Sequence, residues 1–368
     1  MSAVPEILFV LPVLDPAGTE RVVADLARRL PSRGFSAAVL CLEDENAAVG
    51  KELAAANVPV EGLHLSRRRT LACAKALARR IAARRPSVVH SHLFHANIAA
   101  RLALNRLAEE QRVHTPLIST IHVAERRFRP WQFLFDRITA AHARCEVCVS
   151  RAVARFQRER TGLPESFFRV IENGIDLSRF AAPDRAVRQA GEGHVVSVGR
   201  LDPQKDFPTL LRAWKTVEEH CPHAHLTIAG SGSEEERLRA LAAALQLDRA
   251  QFVGFVNDIP KLLREADLYA QPSAWEGFGL AVAEAMAAGL PPVVSDADSL
   301  PEIVTHEKTG WVVPKGNAAA LAAALIKLLT DPAQAARLGL AARADATARF
   351  SVERMVDDYA ALYREVIG

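Results

Sequence analysis

The stretch WEGFGLAVAEAMAAG, residues 275–289, sets two carboxylates, Glu276 and Glu284, seven intervening residues apart. Between them lies Gly277-Phe278-Gly279, a turn from which a helix would start near Leu280. The N–H groups from about Gly279 to Ala281 would then lack intrahelical acceptors and carry about half an elementary positive charge. That is an anion site. Glu276 could be a cap, while Glu284 falls one turn into the helix, about 6 Å along its axis. Carboxylates repel phosphates but accept hydrogen bonds from hydroxyls. The pattern therefore suits a phosphate chain with hydroxyl-bearing groups at both ends, and a nucleotide sugar is such a molecule.

Other residues of the same kind follow apolar runs. HVVSVG ends in Gly199-Arg200, and LDPQK brings Lys205 to a helix start. Two cations flanking one loop suit a diphosphate, with the guanidinium able to hold two oxygens; they read equally as solvated loop charges. LDPAGTER puts Gly18 at a helix start, either for close backbone approach to a ligand or as a plain turn. HLTIA ends in Gly230-Ser231-Gly232, half of a dinucleotide fingerprint whose third glycine is replaced by Glu235. It fits a loop hugging a ligand or a neighbouring loop.

The elements that would position these residues alternate. Short apolar runs at 6–13, 36–42, 87–90, 116–121 and 145–149 alternate with helical stretches at 19–33, 70–84, 94–108 and 131–143. The rhythm restarts with runs at 194–199, 224–229, 251–254, 267–271 and 292–295, and helices at 207–220, 233–246, 258–265, 279–288 and 317–330. Runs without alternation predict strands covered on both faces. Two such series predict an α/β chain of two doubly wound, Rossmann-like parallel-sheet domains facing a cleft. The break falls near 180–192, dividing a domain at 1–185 from one at 186–350, with a terminal helix at 351–368.

The 368 residues are 49% hydrophobic and 24% charged, enough for two buried cores and no long disordered tail. Residues 1–185 carry a net +9 and the rest −6. That imbalance admits an anionic membrane surface as partner, or an arginine-rich solvated face. No nucleic-acid partner is expected. Cys145 and Cys148 form a lone CxxC within a predicted strand, where residues three apart point to opposite faces; this disfavours a shared metal and fits reduced thiols in a cytosolic protein. ILFVLPVL reads as a buried strand rather than a leader, and no apolar run reaches the ~20 residues of a membrane span.

Taken together, AGTER (17–21), HSHLFHAN (90–97), STIH (119–122), ENGID (172–176), GRLDPQKD (199–206), AGSG (229–232), VGFVND (253–258) and QPSAWEGFGLAVAEAMAAG (271–289) occur in an order that resembles the family-4 retaining glycosyltransferases of the GT-B fold. The resemblance covers nearly the whole chain. It implies that Arg200 and Lys205 hold the diphosphate of a UDP- or GDP-sugar, that Glu284 takes ribose hydroxyls, and that Glu276 holds donor-sugar hydroxyls beside the reacting carbon. Backbone at Phe278, Gly279 and Leu280 would receive phosphate or sugar oxygens. Gly18 would approach the distal phosphate, His122 the donor sugar, and Gly254 and Val256 the base. The terminal helix would cross back onto the first domain. Two departures stand out. The family's two glycines are Ala17-Gly18 here, and the glycine that follows the lysine in many members is Asp206.

With Glu276, His122, Arg200 and Lys205 as catalytic candidates, the chemistry would be departure of the diphosphate from an anomeric carbon, aided by fixed cations and the helix tip. No metal-ligand spacing is visible near these loops and two cations can replace a metal, so no metal and no cofactor beyond the nucleotide-sugar co-substrate is expected. The resemblance favours front-face attack. The acceptor, a glycan or a polyprenyl- or other lipid-linked molecule of cell-envelope synthesis, would meet the first domain at His92, His95, Asn97 and Arg126. ERRFRPWQFLFDR (125–137) reads as a contact for a membrane-borne acceptor or as an active-site loop and packed helix. The expected location is the cytoplasm, including the inner face of the plasma membrane. Alternative readings are a GT-B sugar-nucleotide epimerase, a non-catalytic sugar-nucleotide-binding subunit, and a nicotinamide oxidoreductase, the last opposed by Glu235.

Overall fold

The unalternating apolar runs form two all-parallel sheets in a computed structural model that describes residues 4–111, 114–180 and 189–368. The first sheet contains β1 (Glu6–Leu11), β2 (Ser36–Cys41), β3 (Val60–Gly62), β4 (Val88–His92), β5 (Leu117–Ile121), β6 (Cys145–Cys148) and β7 (Phe168–Val170), in the order β3-β2-β1-β4-β5-β6-β7. The second contains β8 (Glu192–Val198), β9 (His223–Ala229), β10 (Ala250–Gly254), β11 (Leu268–Gln271), β12 (Pro292–Ser295) and β13 (Trp311–Val313), in the order β10-β9-β8-β11-β12-β13. Each sheet grows outward from its first strand in one direction and then in the other. The strand order therefore reverses between β1 and β4 in one sheet and between β8 and β11 in the other. Reversal points are where adjacent loops diverge and leave room for a ligand.

The chain packs as two compact units, Met1–Gly174 with Val352–Gly368, and Ile175–Ser351. The boundary anticipated at 185/186 lies outside the described residues. In the first unit Leu8, Val10, Leu40, Val89 and Leu117 from the sheet pack against Leu77 and Ile81 of the Thr70–Arg84 helix and Ala96, Ala100 and Leu107 of Phe94–Gln111. In the second, Phe207, Leu210, Leu211, Trp214 and Val217 recur at helical spacing on the Phe207–His220 helix and meet Val195, Leu226 and Leu268.

Several elements go beyond the sequence expectation. Strands β3, β7 and β13 have three residues each and lie at sheet edges. Runs that short carry no periodic signal, and their pairing is supplied by the neighbouring strand. Helices Ala48–Ala55, Arg151–Thr161 and Pro332–Arg349 were likewise not anticipated. Strand β4 continues past the apolar residues through His90, Ser91 and His92, which are fully buried. The next strand satisfies two of these polar side chains: His90 Nε2 meets Thr120 Oγ1 at 2.7 Å and Ser91 Oγ meets Ser119 Oγ at 3.2 Å.

The terminal helix Val352–Ile367 belongs to the first unit. Tyr359 and Tyr363 are buried on it, and Tyr363 Oη lies 2.7 Å from His90 Nδ1. Arg33 pairs with Asp357 at 2.8 Å and Arg29 with Glu353 at 3.1 Å, and Arg354 donates to the Glu172 carbonyl at 2.8 Å. The buried His90–Tyr363 bond is the costly one to lose. Tyr363→Phe leaves a ring nitrogen in the core without its partner and is expected to destabilise the first unit by about 1–3 kcal/mol. Urea unfolding of the variant checks this; a midpoint equal to that of the parent would show that the bond contributes nothing.

Candidate functional site

In the second unit the loops after β8 and β11 meet at the reversal point. After β8, Gly199 and Arg200 lead through the short 3-10 turn Pro203–Lys205. A Cβ at Gly199 would come within 3.2 Å of Lys205 Cε, so glycine leaves the surface over which the lysine stem lies. The Ala274 N–H donates to the Gln204 carbonyl at 2.9 Å, tying the two loops through backbone. Lys205 Nζ and Glu276 Oε2, 2.5 Å apart, tie them through charge, with side chains only 14% and 9% exposed. Water screens such a pair poorly. Arg200 extends into solvent and pairs with Asp202 at 3.2 Å.

Glu276 is held from below. Tyr269 Oη donates to Gln271 Oε1 at 2.6 Å, Gln271 Nε2 to Ser273 Oγ at 2.8 Å, and Ser273 Oγ to Glu276 Oε2 at 3.2 Å. The first two residues alternate along β11 and the third continues their spacing, so they share a face. Burial pushes the Tyr269 hydroxyl well above its ordinary pKa, with the nearby Glu284 and Glu276 charges adding to the shift. The hydroxyl stays protonated and remains a donor. Glu276 does not cap the following helix. The N-cap of Leu280–Ala287 is Gly279, in the left-handed region at φ 103°, where a Cβ would also approach Leu300 to 3.0 Å. The helix ladder begins with Val282 and Ala283 N–H on the Gly279 carbonyl. The N–H groups of Gly279, Leu280 and Ala281 precede it. Ser299 Oγ donates to the Phe278 carbonyl at 2.9 Å, and the buried Phe278 ring meets Phe350 edge-on at 5.5 Å.

The glycine pair after β9 has a packing explanation. A Cβ at Gly230 would sit 1.9 Å from the Gly199 carbonyl oxygen, and one at Gly232 2.4 Å from that of Leu201. These glycines let the β9 loop lie against the β8 loop. Gly254 ends β10 at φ 69° and accepts from the Gly230 N–H at 2.7 Å, with the half-buried Val256 two residues on. The two departures from the family pattern are conformationally accommodated. Ala17 is extended (φ −117°, ψ 174°), a conformation that needs no glycine, and Gly18 starts the helix Gly18–Arg29. Asp206 adopts φ 48°, the left-handed conformation a glycine would take freely, and its carboxylate accepts from Thr209 Oγ1 at 2.7 Å.

In the first unit a cavity of about 290 Å³ opens at the other reversal point, lined among others by Pro12 and Val13 after β1, His95 and Asn97 after β4, and His122 after β5. Leu93, at φ 68°, turns the chain from β4 into the helix that carries His95 and Asn97. His92 ends β4 rather than following it; its Nδ1 lies 2.9 Å from His122 Nε2, and its Nε2 is buried without a partner. Asn97 donates to the Thr120 carbonyl at 3.3 Å, while its Oδ1 is buried and unsatisfied. Burial pushes His122 and His90 down to about 3, and His92 well below its ordinary value, so all three rings are neutral near pH 7. Arg126 is absent from the lining; its guanidinium lies 5.6 Å from the centre of the Phe156 ring.

Behind this cavity the fully buried Arg101 bridges Asp136 and Glu146, and Gln157 donates to Asp136. Burial pushes Glu146 up to about 7 against the pull of Arg101. Asp136 and Gln157 also line the cavity. Sequence reasoning missed this network and the Tyr269-Gln271-Ser273 relay. The available signals were a glutamate inside the apolar strand Cys145–Cys148 and polar residues at alternate positions from 269. All five cysteines are free and buried, and burial pushes Cys145 up to about 11.

Two doubly wound parallel-sheet units with polar loops at their reversal points define the GT-B fold. The Anabaena protein HepE, solved in complex with UDP and glucose, shares it with a TM-score of 0.85 over 98% of this chain and 100% of that one, at 24% identity. The family Glycosyltransferase Family 4 matches residues 16–179, and Glycosyl transferases group 1 matches residues 180–345. A phosphatidyl-myo-inositol mannosyltransferase of Mycolicibacterium smegmatis is 31% identical over 89% of this chain and 85% of its own length. A glycogen synthase of Mycobacterium tuberculosis is 31% identical over 76% and 69% respectively. The chain belongs to the family-4-type glycosyltransferases.

Two measurements test the electrostatics. Removing one partner of a poorly screened pair exposes the other's desolvation cost, so Lys205→Met is expected to destabilise the second unit by about 3 kcal/mol. Adding Glu276→Gln should return at least about 1 kcal/mol of it; additive effects in the double-mutant cycle would mean the groups do not interact. The histidines supply a pH signature. Their folded pKa values lie below the ordinary 6.5, so the unfolded chain binds protons that the folded chain refuses. For His90 and His122 the contribution is complete above about 6.5 and lost as pH falls toward about 3, at about 1.4 kcal/mol per pH unit for each ring. Glu146 acts oppositely, costing stability as pH rises from 4.5 through about 7. Denaturant titrations should show His122→Asn with a shallower acid limb than the parent; an unchanged limb refutes the assignment.

Proposed function

We propose that the chain is a retaining, metal-independent hexosyltransferase. It moves a hexose or N-acetylhexosamine from a UDP- or GDP-sugar to a glycan or lipid-linked acceptor in cell-envelope polysaccharide or glycolipid synthesis. In this reading it works in the cytoplasm, peripherally at the inner face of the plasma membrane. The observation that carries the reading is the convergence at the β8/β11 reversal of Lys205, Glu276 and a helix start capped by glycine. Relatives named as a mannosyltransferase and a glycogen synthase, and a structural neighbour holding UDP and glucose, support it.

The second unit binds the donor. Lys205 and Arg200 take the diphosphate, joined by the N–H groups of Gly279 and Leu280 beside Phe278, while Glu284 receives ribose hydroxyls and the loop at Gly254 and Val256 receives the base. Glu276, oriented by Lys205 and Ser273, accepts from sugar hydroxyls. The anomeric carbon–oxygen bond breaks with its electron pair passing to the diphosphate, whose growing charge the cations offset. The acceptor oxygen attacks from the same face and its proton passes to the departing phosphate. The first unit binds the acceptor. Its cavity is lined by Asn97, His95 and His122, polar residues suited to hydroxyl groups.

A thermal-shift screen against UDP-, GDP- and ADP-sugars, followed by mass spectrometry of reactions with and without EDTA, tests this reading. One nucleotide class should raise Tm, and Glu284→Ala should weaken that binding. Arg200→Ala should slow transfer by about 10²–10³, and EDTA should leave the rate unchanged. Indifference of Tm to every nucleotide, or conversion of donor into another sugar nucleotide without acceptor, overturns it.

A further inference from the structure

The helix Pro130–Ala140 has a second face that the fold does not use. Phe133, Asp136, Thr139 and Ala140 are buried. Trp131, Leu134, Phe135 and Ile138 point outward, 58%, 56%, 36% and 62% exposed. Their spacing of three, four and seven from Trp131 makes one continuous apolar stripe. Of the eleven large hydrophobic side chains that stand exposed among the described residues, these four fall within 131–138. The stripe is therefore a patch and not the ordinary scatter of surface apolar atoms.

The surroundings of the stripe are basic. Residues 125–160 contain nine arginines, all exposed, against four acidic residues. Asp136 and Glu146 are consumed inside the protein by Arg101, and Glu125 pairs with Arg127 at 3.2 Å. Several guanidinium groups are anchored beside the helix. Arg126 and Arg160 lie 5.6 and 5.3 Å from the centre of the Phe156 ring, and Arg160 lies 5.9 Å from that of Phe133. Arg137, on the helix itself, reaches to within 3.3 Å of where a Cβ of Gly162 would be.

Charge decides the occupant. A second copy placed face to face would set arginine against arginine. A bilayer with anionic headgroups meets both features at once, with Trp131 and its aliphatic neighbours entering the headgroup–acyl boundary and the guanidinium groups facing lipid phosphates. No helix among the described residues is long and apolar enough to cross a membrane, so contact of this kind lies on the surface. We propose that the Trp131–Ile138 stripe and its flanking arginines form the surface by which this chain docks on an anionic lipid bilayer. This deepens the reading above, in which a lipid-linked acceptor lies at such a surface, but its test reads binding and not transfer, so either can fail alone.

Full-length protein is sedimented with vesicles of phosphatidylcholine alone or mixed with phosphatidylglycerol. Binding is expected to the mixed vesicles only, to fall with added salt, and to shift Trp131 emission to shorter wavelength, a shift absent in Trp131→Phe. Leu134→Ser with Ile138→Asp should lower binding at least about tenfold, as should Arg126→Glu with Arg137→Glu. Leu340→Asp, an exposed apolar site elsewhere, should leave it unchanged. Circular dichroism confirms that the variants fold. Three results overturn the proposal: no binding to anionic vesicles, equal binding by the stripe variant, or a concentration-dependent dimer that the same substitutions abolish. The last would assign the stripe to a second copy.

Discussion

A lysine and a glutamate separated by 71 positions in sequence, Lys205 and Glu276, meet at 2.5 Å, and the second unit's site is arranged around that contact. Each residue alone would be a loop charge. Together they join the loops after β8 and β11, the neighbouring strands at which the sheet order reverses. The pair is partly dry, so its charges remain strong while the relay from Tyr269 fixes the carboxylate's orientation. A helix start with a left-handed glycine cap then adds backbone donors without a side chain in the way.

The first unit solves a related problem differently. It carries polar chemistry into the middle of a parallel sheet, through His90, Ser91 and His92 on β4 and Ser119 and Thr120 on β5. Such groups are tolerable only when neighbours satisfy them. The terminal helix contributes to this by sending Tyr363 to His90. Where satisfaction stops, at His92 Nε2 and Asn97 Oδ1, the chain is at or beside its cavity. The Arg101–Asp136–Glu146 network behind it costs desolvation and holds three elements in one geometry. The same helix that supplies Asp136 inward presents Trp131, Leu134, Phe135 and Ile138 outward. One short element thus braces the cavity and offers a surface.

Much of this was legible in the amino-acid order. Strands buried on both faces need continuous apolar runs, so their positions and the two-sheet α/β organisation could be read locally, as could the helix start at Leu280 and the glycines around it. Spacing and residue type likewise singled out Lys205 and Glu276, which the fold brings together. Three-residue edge strands could not be read, because their stability comes from the partner strand and not from their own composition. Only the tertiary structure decided that Gly230 and Gly232 serve a neighbouring loop, that Asp206 takes the conformation of a glycine, and that Arg101 and Glu146 are a buried pair instead of surface charges. In each case the deciding quantity is a distance between residues far apart in the chain. Local pattern reports which way a side chain is inclined to point, whereas charge pairing and close backbone approach depend on what the fold brings to meet it.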